Sequence, residues 1–280
     1  MKKFVGLHRY LLEQGTLLPA QVVEPPEVDV DNLLSVHATD YVDGILTGDM
    51  DRKTARKVGL PWSPGLARRS KLAVQGTINA ALMALQDGLA GNLAGGTHHA
   101  MPEGGEGFCV FNDVAVAIKL LQRSMWARRI LIIDCDVHQG NGTAHIFRDN
   151  DEVFTFSIHG EKNYPFRKPP STLDIGLPDE TGDTDYLRIL SDALDLIFHR
   201  FNPDLVFYLG GIDPLEDDKL GRLALTLKGL RERDRRVIEA VTSRDIPLVL
   251  LLSGGYAPTL GNTVQAHAQM YEIAASMPGY

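Results

Sequence analysis

Four unbroken apolar runs stand out along the chain, and each leads directly into a polar or glycine-rich cluster. Residues 130–133 run into Asp134, and residues 153–156 into Ser157-Ile158-His159-Gly160. Residues 205–209 run into Gly210-Gly211-Ile212-Asp213, and residues 247–252 into Ser253-Gly254-Gly255-Tyr256. Apolar runs without alternation suit strands buried on both faces, as in a parallel sheet. Segments 185–201 and 229–244 carry apolar residues at helical spacing, so β and α elements alternate. The same spacing predicts helices over 1–15, ending at Gly15, over the alanine-rich 66–87, and over 112–121. Residues 19–31 read as a connector rich in proline and acid. Pro61-Trp62-Ser63-Pro64 and Gly104-Gly105-Glu106-Gly107 read as loops, and the prolines of 162–170 make that segment irregular. No linker, repeat or low-complexity stretch divides the chain, so residues 1–280 are expected to form one α/β domain.

Composition narrows the picture without specifying it. A chain of 280 residues, 44% hydrophobic, can bury one full core. The net charge of −8 argues against a general nucleic-acid surface. The apolar runs are far too short to span a membrane, and no signal core follows Met1-Lys2-Lys3-Phe4. Cys109 and Cys135 give no disulfide framework, so reduced thiols in a cytoplasmic setting are the expectation.

The chemistry gathers in Thr97-His98-His99-Ala100 and Asp134-Cys135-Asp136-Val137-His138. A hydrolytic metal site needs ligands that leave one position open, and a base for the proton of water. Asp136 and His138 offer two ligands, Asp213 is the best third, and His98 and His99 offer the base. Taken singly the pieces are ordinary: a histidine pair often caps a turn, and D-x-D-x-H can be a solvated strand end. Their recurrence beyond successive strand ends, where open α/β sheets bind ligands, favours a site. His8, His37, His199 and His267 lack partners in sequence and are expected at the surface or on helices. His145 reads as structural, and His159 as peripheral to the site.

These residues resemble the zinc-dependent histone deacetylases and their bacterial relatives, the acetoin-utilisation proteins. The resemblance is carried by Gly95-Gly96-Thr97-His98-His99-Ala100, by Gly107-Phe108-Cys109-Val110-Phe111-Asn112-Asp113, and by the ten residues from Asp134 to Thr143. Gly210-Gly211-Ile212-Asp213, Asp218-Lys219-Leu220-Gly221 and Ser253-Gly254-Gly255-Tyr256 complete it, so it covers nearly the whole chain. Gly59-Leu60-Pro61-Trp62 looks most like the class IV and bacterial branch.

The resemblance implies an arginase/deacetylase fold with a central eight-stranded parallel sheet flanked by helices. It assigns Zn²⁺ to Asp136, His138 and Asp213, with Fe²⁺ as a second candidate for such N/O donors. His99 would act as general base and then acid, with His98 holding charge and positioning water. Asp134 would orient His98, and Asn141 would orient His99 while stabilising an imidazolium less than a carboxylate does. Tyr256 would donate to the developing oxyanion, over a turn that Gly254 and Gly255 permit. Gly107 and Phe108 would form one wall of an acyl-lysine tunnel, with Gly255 also at the substrate. The opposite wall falls to Tyr164-Pro165-Phe166, with Phe166 the assigned contact and Tyr164 the alternative. A K⁺ ion would sit among Asp134, Asp136, His138, Ser157 and Ile158.

The implied activity is hydrolysis of an acetyl or longer fatty acyl group from lysine in a protein or peptide, or from a small acyl-amide. Gly104, Gly105 and Gly107 would leave room for a longer tail; a closed acetyl-sized pocket is the alternative. Acylpolyamine hydrolysis and a non-catalytic zinc-binding scaffold are the rival functions. A binuclear, arginase-like site is disfavoured because Gly140 stands where a further carboxylate is needed. Relatives usually begin with a strand ahead of the first helix, so an edge strand is expected to be missing here. Neither a nucleic-acid nor a membrane partner is expected.

Overall fold

In the computed structural model, which describes residues 2–278, the apolar runs form parallel strands and the periodic segments form helices. The chain opens with α1 (Lys2–Glu13), a 3-10 turn (Pro19–Gln21) and three short helices: α2 (Val30–Leu34), α3 (Thr39–Thr47) and α4 (Arg52–Val58). Then come α5 (Pro64–Asp87), β1 (Leu89–Asn92), α6 (Asp113–Arg123) and β2 (Ile130–Asp134). After α7 (Asn141–Phe147), strands β3 (Val153–Gly160) and β4 (Leu173–Leu177) follow in succession. The rest alternates as α8 (Asp183–Arg200), β5 (Leu205–Leu209), α9 (Leu227–Thr242), β6 (Leu248–Leu251) and α10 (Leu260–Ala275). Met1, in the first expected helix, and residues 279–280 lie outside the described residues.

Helix starts follow local chemistry. Pro64 occupies the first turn of α5 behind Ser63, whose hydroxyl accepts the Leu66 amide proton at 3.1 Å. Proline is at home there because that N–H would have no partner in the helix. Asn112 caps α6 in the same way, through the Ala115 amide.

Alternate residues of the central strands belong to opposite cores. Leu131 and Ile133 of β2, Val206 and Tyr208 of β5, and Leu248 and Leu250 of β6 pack with Leu7, Leu11, Leu190, Ile197, Val237 and Ala268 from α1, α8, α9 and α10. Ile130, Ile132, Leu205, Phe207, Val249 and Leu251 pack with Leu33, Ile45, Val74, Ile78, Val114 and Ile118 from α2, α3, α5 and α6. Helices thus cover both faces of the sheet, which is why the sequence shows continuous apolar runs.

The strand order is β1-β6-β5-β2-β3-β4, and every pairing is parallel. Among the described residues the sheet has six strands, which corrects the expected eight. The two outer strands are short and weakly apolar: β1 is Leu-Ala-Gly-Asn, and β4 alternates half-buried with exposed positions. From β2 the chain steps outward to β3 and β4, then returns through α8 to β5 on the other side of β2. The order therefore reverses between β2 and β5, and the carboxyl ends at such a switch point form a crevice for ligands. No helix among the described residues is long and apolar enough to cross a membrane.

Candidate active site

The loops after β2, β5 and β6 converge on His138. Its Nδ1 lies 3.0 Å from Asp136 Oδ1 and 3.3 Å from Asp213 Oδ2, and one ligand atom from each of the three lies within 4.8 Å of the others. Both carboxylates are buried and held from behind. Asp136 Oδ2 accepts from Ser253 Oγ at 2.8 Å and from the Gly254 amide at 2.7 Å, while Asp213 Oδ1 accepts from the Val137 amide at 2.9 Å. A Cβ on Gly254 would stand 2.5 Å from Asp213 Oδ2 and 2.7 Å from Asp136 Oδ2, so the two carboxylates require glycine there.

The charges in this cluster call for a cation. Burial, with Asp136 alongside, pushes Asp213 up to about 6. Burial opposes a charge on His138, but the two carboxylates outweigh it and push the imidazole up to about 11. A tetrahedral site with bonds of about 2.0–2.2 Å spaces its donors about 3.3–3.6 Å apart. The observed 3.3 Å meets that spacing and 3.0 Å lies just inside it, and two buried carboxylates facing one imidazole suit a divalent ion. The donor set therefore fits a zinc-type metal.

The histidine pair is aimed at this cluster by a buried carboxylate. Asp113 accepts from the amides of Gly96 (3.0 Å) and Thr97 (2.7 Å) and from the hydroxyls of Thr77 and Thr97. This fixes the turn that carries His98 and His99. His98 Nδ1 donates to Asp134 Oδ2 at 2.6 Å, and His99 Nδ1 to Asn141 Oδ1 at 2.6 Å. The two Nε2 atoms then face each other at 3.1 Å, with His98 Nε2 3.9 Å from Asp136 Oδ1. Burial pulls both rings down. For His98 the Asp134 and Asp136 carboxylates outweigh burial and push it up to about 9. His99, next to that charge, stays well below the usual range. Because the Asn141 carbonyl oxygen only accepts, the His99 ring proton sits on Nδ1 and the Nε2 lone pair faces His98 Nε2.

Tyr256 follows Gly255, whose φ of +109° is open only to glycine without strain. The ring is half-exposed, and its backbone amide donates to Asp218 Oδ2 at 2.9 Å. It lies two residues beyond the Gly254 amide that binds Asp136.

The family model for the histone deacetylase domain matches residues 2–271. The chain belongs to the histone deacetylase family. It is 46% identical to an uncharacterized protein of Picosynechococcus sp. over 98% of this chain and 91% of that one. It is 33% identical to histone deacetylase 2 of Arabidopsis thaliana over 89% of this chain and 66% of that one. A crystal structure of a histone deacetylase homologue from Aquifex aeolicus superposes with a TM-score of 0.81, at 25% identity, over 96% of this chain and 76% of that one. The α/β fold is that of its solved relatives, and family membership supports deacetylase activity in general.

The approach to the histidines is built by a tight turn. The Cys109 amide donates to the Glu106 carbonyl at 2.9 Å and the Glu106 amide to the Cys109 carbonyl at 3.0 Å. Gly107 (φ +56°) and Phe108 (φ +66°) form the corner, both left-handed as a type I′ turn demands. Gly107 backs onto His99, since a Cβ there would lie 2.5 Å from His99 Cδ2. Phe108 is exposed at the surface beside Gly59.

The structure corrects several expectations. Phe166 is 92% exposed, whereas Tyr164 stands edge-on to His99 with ring centroids 5.0 Å apart. The Tyr164-Pro165-Phe166 segment has no period from which its inward residue could be read. His37 is buried in a loop, neither at the surface nor on a helix, whereas His267 lies on α10 as expected and is buried there. His37 Nδ1 donates to the Met101 carbonyl at 3.0 Å, and its Nε2 accepts from the Asn112 amide at 3.0 Å, bracing the loops behind the site. His159 is buried against Ser157, with Nδ1 2.9 Å from the hydroxyl. Sequence reasoning missed Lys3 and Glu106. Lys3 is buried and donates to the Ser253 and Gly255 carbonyls, each at 3.4 Å. Glu106 accepts from Asn141 Nδ2 at 2.7 Å and from the Tyr164 hydroxyl. Its place beside Gly107, as the acid of a glycine loop at an assigned wall, was the available signal.

Proposed function

We propose that this protein is a zinc-dependent deacylase of acylated lysine side chains. The observation that carries the reading is the facing pair of Nε2 atoms, 3.1 Å apart, beside the Asp136–His138–Asp213 cluster. With Zn²⁺ held by those three residues, the site gains Lewis acidity towards the amide carbonyl and water. His99 Nε2 takes a proton from water as the water oxygen attacks the acyl carbon. His98, held charged by Asp134, orients that water. The Tyr256 phenol donates to the carbonyl oxygen as it gains charge. When the C–N bond breaks, His99 returns the proton to the lysine nitrogen, giving a carboxylate and a free amine.

Phe108 and Tyr164 are the aromatic groups available to sheath the apolar lysine stem. We extend the same reading to a K⁺ ion among Asp134, Asp136, His138, Ser157 and Ile158. Two free, buried cysteines suit a cytoplasmic setting.

The test is a panel of acyl-lysine peptides and acetylated polyamines offered to zinc-loaded protein. Acid release from the peptides, lost in His99→Ala with zinc retained, is the expected result. Activity confined to polyamines would move the substrate class. Zinc binding without hydrolysis of any amide would leave the scaffold reading.

A further inference from the structure

Behind His99 stands a neutral amide, Asn141, and behind that amide stands a carboxylate. His99 Nδ1 donates to Asn141 Oδ1 at 2.6 Å, and Asn141 Nδ2 donates to Glu106 Oε1 at 2.7 Å. The same Glu106 oxygen accepts from the hydroxyl of Tyr164, whose ring lies edge-on to His99. Asn141 is buried, so water cannot take over either end of its amide freely.

The donor and acceptor inventory gives this chain a direction. Glu106 Oε1 accepts from the NH₂ end of Asn141 and so turns the carbonyl end towards His99. A carbonyl only accepts, so His99 must carry its proton on Nδ1. A neutral imidazole has one ring proton, which leaves the Nε2 lone pair facing the site. With Glu106 removed as an obligate acceptor, the Asn141 amide is free to present its NH₂ end to His99. The ring proton would then move to Nε2 and block the base.

We infer that Glu106 is a positioning residue that acts through Asn141 to hold His99 in its Nδ1–H tautomer. Tyr164 shares the same carboxylate and so ties the aromatic wall to the base. The backbone supports this role: Glu106 is fixed by paired hydrogen bonds to Cys109 across the left-handed Gly107-Phe108 corner. The inference rests on the reading of His99 as the base, but its first readout does not depend on turnover.

That readout is the ¹⁵N shift of the His99 ring nitrogens in histidine-labelled, zinc-loaded protein, assigned by their loss in His99→Ala. Wild type should show a protonated Nδ1 and an unprotonated Nε2, and Glu106→Gln should show a mixture or the reverse. In kinetics, Glu106→Gln should lower kcat about 10- to 100-fold with KM and zinc content little changed, the usual scale for an orienting partner. That is well short of the roughly 10⁴-fold loss seen when a hydrolase histidine is left in the wrong tautomer.

Two further variants separate orientation from packing. Asn141→Asp alone places two carboxylates side by side, so it should lower kcat. In the Glu106→Gln background the same Asn141→Asp change supplies a direct acceptor that cannot flip, and should restore both the tautomer and most of kcat. Wild-type shifts and wild-type kcat in Glu106→Gln would overturn the inference, as would failure of Asn141→Asp to restore the Glu106→Gln protein. If wild type hydrolyses no acyl amide, the proposed function fails, while the ring-nitrogen shifts still decide the role of Glu106.

Discussion

The Lys3 ammonium stands 4.5 Å from the centre of the Tyr256 ring. The first helix thereby reaches under the loop that follows the last strand, and Lys3 holds the carbonyls on either side of Gly254. Burial brings this lysine down to about 8, while the Tyr256 ring it faces stays half-exposed. Tyr256→Phe should retain zinc and lower kcat by about 10²–10³, the loss expected for one oxyanion donor. Lys3→Met removes a cation–π contact of about 0.5–2 kcal/mol and should lower kcat up to about thirtyfold, with zinc content unchanged. Steady-state kinetics on both variants checks this. Wild-type kcat in Tyr256→Phe would assign the oxyanion donor to another group.

The metal cluster gives a prediction independent of turnover. Asp136→Ala, His138→Ala and Asp213→Ala each remove one of three donors gathered within 4.8 Å, so each should lose bound zinc and activity together. Elemental analysis of the purified variants reads the first quantity. Near-normal zinc in any two of them would contradict the ligand assignment.

Stability should depend on pH through His37. Burial holds this ring down to about 4, against the opposing pull of its hydrogen bond to the Met101 carbonyl. Between pH 4 and the unfolded value of about 6.5, the folded protein binds fewer protons at His37 than the unfolded chain does. Stability therefore rises with pH across that window and falls as pH drops from 6.5 to 4, by about 3 kcal/mol for this group. His37→Gln should flatten the slope of denaturation midpoint against pH. His159, also held near 4 by burial, keeps its own share. An unchanged slope in His37→Gln would show that His37 does not titrate as described.

The acyl group should be short. Of the three glycines near the approach, Gly105 is packed against Cys109, Tyr41 and Val58, and Gly107 against His99. Only Gly104 faces open space, with nothing within 4 Å of a Cβ there. The room expected for a long tail is thus largely filled, so added CH₂ groups forgo the roughly 0.8 kcal/mol each would gain by burial. We predict that kcat/KM falls steadily from acetyl to octanoyl to myristoyl on one peptide. A rise with length would show a tail site elsewhere.

What the sequence made legible follows from burial. β2, β5 and β6 are buried on both faces and leave unbroken apolar runs, and each run ends in residues that reach the site. The edge strands β1 and β4 carry Gly, Asn and Asp and leave no such run. Helix α10 is buried nearly all round, so it shows no polar stripe to mark it as a helix against a sheet. The residues of the Asp136–His138–Asp213 cluster lay in local motifs. The contacts of Lys3 with Gly255 and of His37 with Asn112 join distant parts of the chain, and no local pattern records them. The same holds for the choice of Tyr164 over Phe166, which the irregular segment alone does not determine.

The most direct measurement of the central claim is zinc titration of metal-free protein while following acetate release from one acetyl-lysine peptide, with His99→Ala alongside. The account predicts no release without metal, activity that rises to a plateau at one zinc per chain, and a His99→Ala protein that binds the same zinc and stays inactive. Undiminished release from the chelated protein, or from zinc-loaded His99→Ala, would contradict it.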